Sequence, residues 1–152
     1  MTLVHVRDAS AADIAFIVDA NAAMAWKTER KVLDRDVLAR GVAAVFAQPA
    51  RGFYLIAEHA GAAVGCLLVT YEWSDWRNRE WWWLQSVYVT AMARRAGAFR
   101  ALHDEVERRA AVAGSAGIRL YVDLDNERAK AAYRSLGMDA ARYEMFERER
   151  TP

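Results

Sequence analysis

The feature that most constrains this chain is a change of period at Gly52. Before it, apolar residues recur at helix spacing. After it come three strand-length apolar runs joined by short polar turns, filling residues 53–89. The first is Phe53-Tyr54-Leu55-Ile56-Ala57-Glu58; a turn falls at Ala60-Gly61, and the second run is Val64-Gly65-Cys66-Leu67-Leu68-Val69-Thr70-Tyr71. A polar stretch, Ser74-Asp75-Trp76-Arg77-Asn78-Arg79, leads into the third, residues 81–89, which ends Leu84-Gln85-Ser86-Val87-Tyr88-Val89. Connections this short join antiparallel neighbours, so the three runs predict a meander.

The flanks supply the other layers. Leu3, Val4 and Val6 predict a short first strand. Ser10, with Asp13 three residues on, predicts a helix start at Ala11; Ile14, Ile17, Val18, Asn21 and Ala25 then share a face as far as about Lys27. Asp34 caps a second helix, with Val37, Leu38, Val42, Val45 and Phe46 on its apolar side, and Pro49 stops it. Residues 90–96 read as a basic loop. From Ala98, the positions of Phe99, Leu102, Val106, Ala110 and Ala113 mark an amphipathic helix closed by Gly114 and Gly117. Residues 118–123 predict a strand, Asp125 or Asn126 a cap for a helix bearing Ala129, Ala132, Tyr133 and Leu136, and Gly137 its C′ residue. Residues 138–149 return to strand chemistry, with a break near Ala140-Ala141. The expected order is β-αα-βββ-α-β-α-β(β): an α/β single domain over residues 1–152, one mixed central sheet flanked by about four helices.

Composition narrows the function classes. Hydrophobic residues make up 55% of the 152 positions and charged ones 27%, which argues against disorder. The net charge of +1 provides no broad field for nucleic acid or an anionic membrane. Neither a signal peptide nor a long uncharged apolar run is evident, so a cytoplasmic protein with no membrane partner is expected. One cysteine, Cys66, within an apolar run, rules out an internal disulfide and reads as a small buried hydrophobe. His5, His59 and His103 lack ligand spacing, so no metal is expected, and Ser86 and Ser115 lie outside any Gly-x-Ser-x-Gly elbow.

Positive chemistry concentrates in one loop. Strand, basic glycine-containing loop and helix is an arrangement that captures phosphates, because unpaired first-turn N–H groups and the helix dipole favour an anion. Here Val87-Tyr88-Val89 is followed by Arg94, Arg95, Gly97 and Arg100, without the Lys-Ser/Thr ending of a P-loop. Taken alone, the same residues also read as an Arg-rich helix entry facing water.

Downstream, Leu120-Tyr121-Val122-Asp123-Leu124-Asp125-Asn126, then Ala129, Ala132, Tyr133 and Leu136-Gly137-Met138, follow the loop in order. Together with it they resemble the strand-Asn-helix-Tyr-Leu-Gly pattern of the GNAT N-acetyltransferase superfamily. The resemblance implies an Arg/Gln-x-x-Gly-x-Gly/Ala loop that holds the pyrophosphate of acetyl-CoA, matched by Arg94, Gly97 and Ala98, with Arg95 and Arg100 as added donors. Phe99 departs from the small residue of that pattern, and Met138 replaces the common Phe. By the same resemblance the backbone of Val87, Tyr88 and Val89 holds the pantetheine arm and polarises the thioester carbonyl, Asn126 holds the cofactor or caps its helix, and Tyr133 protonates the leaving thiolate. The implied reaction is direct acetyl transfer from acetyl-CoA, with no metal, to a primary amine of a small molecule or peptide. An alkyl amine with a pKa of about 10.4 must first lose a proton, for which Glu29 and Glu72 are candidate groups and water another route. Gln85 is a candidate substrate contact that cannot act as a base. The competing class is a CoA-binding or interaction module without catalysis, in which Phe99 marks a degenerate loop.

Six tryptophans, five of them between positions 73 and 83, exceed what core packing requires. Trp81, Trp82 and Trp83 cannot all face one side of a strand. With Trp73, Trp76 and Glu72 they read either as an acceptor wall for a cationic amine or as a homodimer surface.

Overall fold

A computed structural model describes residues 3–152. The chain forms two compact units, one ending at Tyr121 and the other running Val122–Pro152.

The first unit is built on a five-stranded mixed sheet in the order β1-β2-β3-β4-β5, with β1 His5–Asp8, β2 Phe53–His59, β3 Ala62–Ser74, β4 Arg79–Val89 and β5 Gly117–Leu120. All neighbours are antiparallel except β4 and β5, which are parallel. The expected meander is β2-β3-β4, longer at its outer end than its apolar core because Glu72 to Ser74 pair with Arg79 to Trp81. Helices α1 Ile14–Glu29 and α2 Arg35–Ala47 cover one face, where Ile17, Val18, Ala20 and Val42 pack with Tyr54, Ile56 and Cys66. On the other face lies α4 Ala98–Ala113, where Leu102, Val106 and Ala110 meet Leu55, Leu67, Val69, Trp82 and Leu84.

Several boundaries move for local reasons. The first helix opens with a 3-10 turn, Ala11–Asp13, since the Asp13 carboxylate turns back to accept the Ser10 N–H at 2.7 Å and binds Arg7. Asp34 caps α2 as expected, accepting from Asp36 and Val37 N–H. The basic loop contains a one-turn helix, α3 Ala91–Arg94, whose Ala93 and Arg94 N–H groups both reach Thr90 C=O. β5 is shorter than expected, its ladder ending at Leu84–Leu120 because β4 distorts just beyond.

That distortion sets the geometry of the site. Leu68 pairs with Gln85 and Cys66 with Tyr88, so one β3 residue faces two on β4. Ser86 has φ of +50°, a value uncommon for a residue with a side chain. The β-bulge shifts the alternation of β4 by one position. Upstream, Trp82 and Leu84 face α4 while Trp81, Trp83 and Gln85 face the α1/α2 side. Downstream, Val87 and Val89 face α4 and Tyr88 the other side.

The second unit has one regular element among the described residues, α5 Glu127–Ser135. Asn126 caps it by accepting the Ala129 N–H at 3.0 Å, and Gly137 follows with φ of +83°. The strand expected over 138–149 does not form. Its backbone groups need a neighbouring ladder, and this unit contains no strand to provide one.

Candidate active site

The loop predicted to hold phosphates joins β4 to α4. Gly97 caps α4 with φ of +79°, a left-handed turn that suits glycine, and a Cβ there would meet nothing within 4 Å. The first bond into the helix is Ala101 N–H to Gly97 C=O, 3.0 Å, so the helix ladder begins there and the N–H groups of Ala98 and Arg100 point out of the helix start. Arg94 is half-buried and its Nε donates to Val89 C=O at 3.1 Å, which ties the loop to the end of β4. Arg95 and Arg100 are exposed. Open space, a helix N-terminus and guanidinium groups suit a polyanion such as a pyrophosphate. Phe99 is packed against the α4-side core, its ring 6.4 Å from that of His103. Its bulk is turned inward, so the departure from a small residue leaves the helix entry clear.

The pairing of β4 with β5 stops at Leu84, so the edge of residues 85–88 facing away from β3 carries no strand among the described residues. This open edge includes Val87 and Tyr88 and runs into Val89 and the basic loop. A linear amide-bearing chain can add to such an edge by main-chain hydrogen bonds.

Next to the bulge, on the α1/α2 side, Gln85 Nε2 donates to Thr70 Oγ1 at 2.5 Å, which fixes the amide and leaves its Oε1 as an acceptor. Further along the same face, Trp81 and Trp83 pair with Gly117 and Arg119 of β5, and Glu72 pairs with Trp81. Arg119 Nη1 binds Glu72 at 2.5 Å, and the Arg119 guanidinium lies 3.9 Å from the Trp81 ring centre. Trp83 contacts Tyr121, ring centres 4.6 Å apart.

The sequence singled out Glu72 and Gln85 one by one; the structure brings them to one face of the sheet and adds their partners, Arg119 and Thr70, which the sequence reading missed. The signals were present: an arginine between Ile118 and Leu120 in a half-buried strand requires a counter-charge, and two successive polar residues, Gln85-Ser86, break a period of two. Glu29 ends α1 and is exposed. Trp73 and Trp76, 61% and 87% exposed, sit at the β3–β4 hairpin tip, apart in register from Trp83 and Gln85. Trp82 is a core residue, edge-on to Phe53 and Tyr71.

Two titrating groups bear on the chemistry. Cys66 is fully buried and burial pushes its thiol up to about 12, which leaves no thiolate to carry an acetyl group at neutral pH. Tyr133, on α5, is half-buried, and desolvation raises its phenol above the usual value, keeping it a proton donor.

Comparison with known proteins agrees in kind with this geometry. The model of the acetyltransferase (GNAT) family matches residues 19–138. A possible acetyltransferase from Clostridium difficile 630 is 38% identical and superposes with a TM-score of 0.90 over 99% of both chains. Mycothiol acetyltransferase from Corynebacterium aurimucosum is 30% identical over 124 residues, 80% of this chain; the match covers 41% of that protein's length. An aminoglycoside N-acetyltransferase in complex with CoA shares the fold, with a TM-score of 0.78 at 15% identity over 99% of this chain and 97% of that one.

Proposed function

The chain belongs to the acetyltransferase (GNAT) family, and from that premise we propose that it is an acetyl-CoA-dependent N-acetyltransferase acting on a primary amine of a small molecule or peptide. One observation carries the reading: the strandless edge of β4 leads directly into a basic, glycine-capped loop at the N-terminus of α4, at the residues that match the family's cofactor loop. The matched stretch, residues 19–138, covers most of the first unit and runs into the second, which supports one acetyltransferase domain.

Acetyl-CoA when bound supplies a thioester, an acetyl carbon activated toward an amine. The chain's own residues do the rest. Backbone N–H groups of Ala98 and Arg100, with Arg94, Arg95 and Arg100 side chains, bind the pyrophosphate beyond Gly97. Backbone groups of Val87, Tyr88 and Val89 hold the pantetheine arm and stabilise negative charge on the carbonyl oxygen. The amine nitrogen forms the N–C bond as the C–S bond breaks; the nitrogen gives up one proton and the sulfur gains one. Tyr133, by its place in the family pattern, supplies the proton to sulfur. Asn126 directs its carbonyl oxygen into the α5 cap, leaving its NH2 group for the cofactor.

Calorimetry with acetyl-CoA, followed by free-thiol release over a panel of amines, tests the proposal. Binding in the micromolar range with amine-dependent thiol release is expected. Absence of binding at high micromolar acetyl-CoA would overturn it, and binding without turnover on any amine would reduce the protein to a CoA-binding module.

A further inference from the structure

A wall for a cationic amine was one of two readings of the tryptophan-rich face; the charges on that face are already paired. Helices α1 and α2 pack on Ile56, Cys66, Leu68 and Tyr88; Thr70, Glu72, Trp81, Trp83 and Gln85 continue the same sheet face beyond them. The π face of an indole is a natural seat for an ammonium. On Trp81 that seat is taken by Arg119, with its guanidinium 3.9 Å from the ring centre, and Arg77 follows at 5.1 Å. Glu72, the carboxylate of this face, is bound to Arg119 at 2.5 Å. Two guanidiniums against one carboxylate leave the patch positive. An incoming alkyl ammonium finds both of its usual partners engaged.

What remains for a ligand is aromatic and hydrogen-bonding. Trp83 and Tyr121 are tilted at 46° to each other, Trp83 half-buried and Tyr121 57% exposed, so both offer ring surface. Arg119 retains N–H donors beyond the one that binds Glu72. Two residues from Trp83 along β4, about 7 Å at the usual strand rise, stands Gln85, beside the bulge. A single ring spans that interval.

Resting on the acetyl transfer proposed above, we propose that the acceptor is a planar aromatic amine, uncharged at its nitrogen, and bound better when its ring carries a carboxylate. The ring lies against Trp83 and Tyr121, the carboxylate meets Arg119, and the amino group points along β4 toward Gln85. Ring delocalisation of the nitrogen lone pair keeps such an amine neutral at pH 7. It therefore attacks the thioester carbonyl without prior deprotonation: the N–C bond forms, the C–S bond breaks, and one proton passes in net from nitrogen to sulfur. An alkyl amine needs an additional base for its first proton.

The test compares 4-aminobenzoate, aniline and 1,4-diaminobutane as acceptors at pH 7, read by thiol release. The expected order of kcat/KM is 4-aminobenzoate, then aniline, then the diamine, with at least tenfold between first and last. Arg119→Gln should lower kcat/KM for 4-aminobenzoate about tenfold, change aniline less than threefold and raise the diamine, with acetyl-CoA affinity within twofold as the check on folding. Preference for the diamine overturns the aromatic acceptor while leaving acetyl transfer intact. An equal fall for all three amines in Arg119→Gln, at unchanged acetyl-CoA affinity, also overturns it. Failure of acetyl-CoA to bind the unmodified protein overturns the parent reading instead.

Discussion

Replacing Gly117 by alanine separates a glycine required by its neighbour from one required only by its turn. A Cβ at Gly117 would lie 2.7 Å from Trp81 Cζ3, and the backbone there has φ of +144°, which side-chain-bearing residues rarely adopt. The backbone strain costs about 1–3 kcal/mol. Trp81 must also move away from Arg119, losing a cation–π contact of about 0.5–1 kcal/mol at a half-exposed site. The sum is about 1.5–4 kcal/mol; less the roughly 0.4–1 kcal/mol gained by stiffening the unfolded chain, about 0.5–3.6 kcal/mol remains, which for a chain of this size lowers Tm by about 1–14 °C. Gly97→Ala is the control, since its φ is +79° but a Cβ there meets nothing within 4 Å. A left-handed alanine costs about 1–2 kcal/mol, offset by about 0.4–1 kcal/mol from the stiffer unfolded chain. Thermal and urea unfolding of both variants would give the two costs. If Gly117→Ala is no more destabilising than Gly97→Ala, Trp81 is not locked over β5 and the rigid Arg119–Trp81 pair is refuted.

Tyr133→Phe should lower kcat about a hundredfold or more while leaving acetyl-CoA affinity within twofold; because burial raises the phenol, wild-type activity should not fall from its ionisation until above about pH 10. Equal losses in both parameters would make Tyr133 structural. Gly97→Glu puts a carboxylate where the pyrophosphate is expected and should weaken acetyl-CoA at least tenfold in a titration, an unchanged Kd refuting the loop assignment. Asp13 is held below its usual range chiefly by its hydrogen bonds from Arg7. A depressed carboxylate stabilises the fold above its unfolded pKa of about 3.9 and loses that contribution as pH falls through the lower folded value. Urea midpoints measured from pH 7 down to pH 2 should therefore fall less steeply below pH 4 in Asp13→Asn, which starts less stable at pH 7.

Much of the first unit was legible in the sequence because its signals are local. Asp34 caps α2, which ends at Ala47 just ahead of Pro49, and the three runs after Gly52 pair as neighbours. The parity of Trp81 to Trp83 followed from the pleat alone, and Trp82 is the member that enters the core. What could not be read required knowing which strand lies beside which. Arg119 meets Glu72 across 47 residues of sequence, and Gln85 meets Thr70 across 15. The counter-charge to Glu72 comes from a strand whose register no local pattern specifies, so the sequence alone could not show that this carboxylate is already paired. The final strand failed differently. Residues 138–149 carry alternating chemistry, but a strand's stability belongs to the ladder that receives it.

The bulge at Ser86 makes β4 two strands spliced out of phase. A substitution upstream, among Trp81, Trp83 and Gln85, alters the chemistry of one face without touching the parity of Val87, Tyr88 and Val89. Straightening β4 with Ser86 retained would instead fuse the two phases, driving Tyr88 into the packing under α4 and lifting Val87 and Val89 out of it, whereas deleting Ser86 would leave Gln85, Val87, Tyr88 and Val89 on the faces they now hold. The two halves of this strand thus keep their faces independently, and either can change its side chains without re-aiming the other.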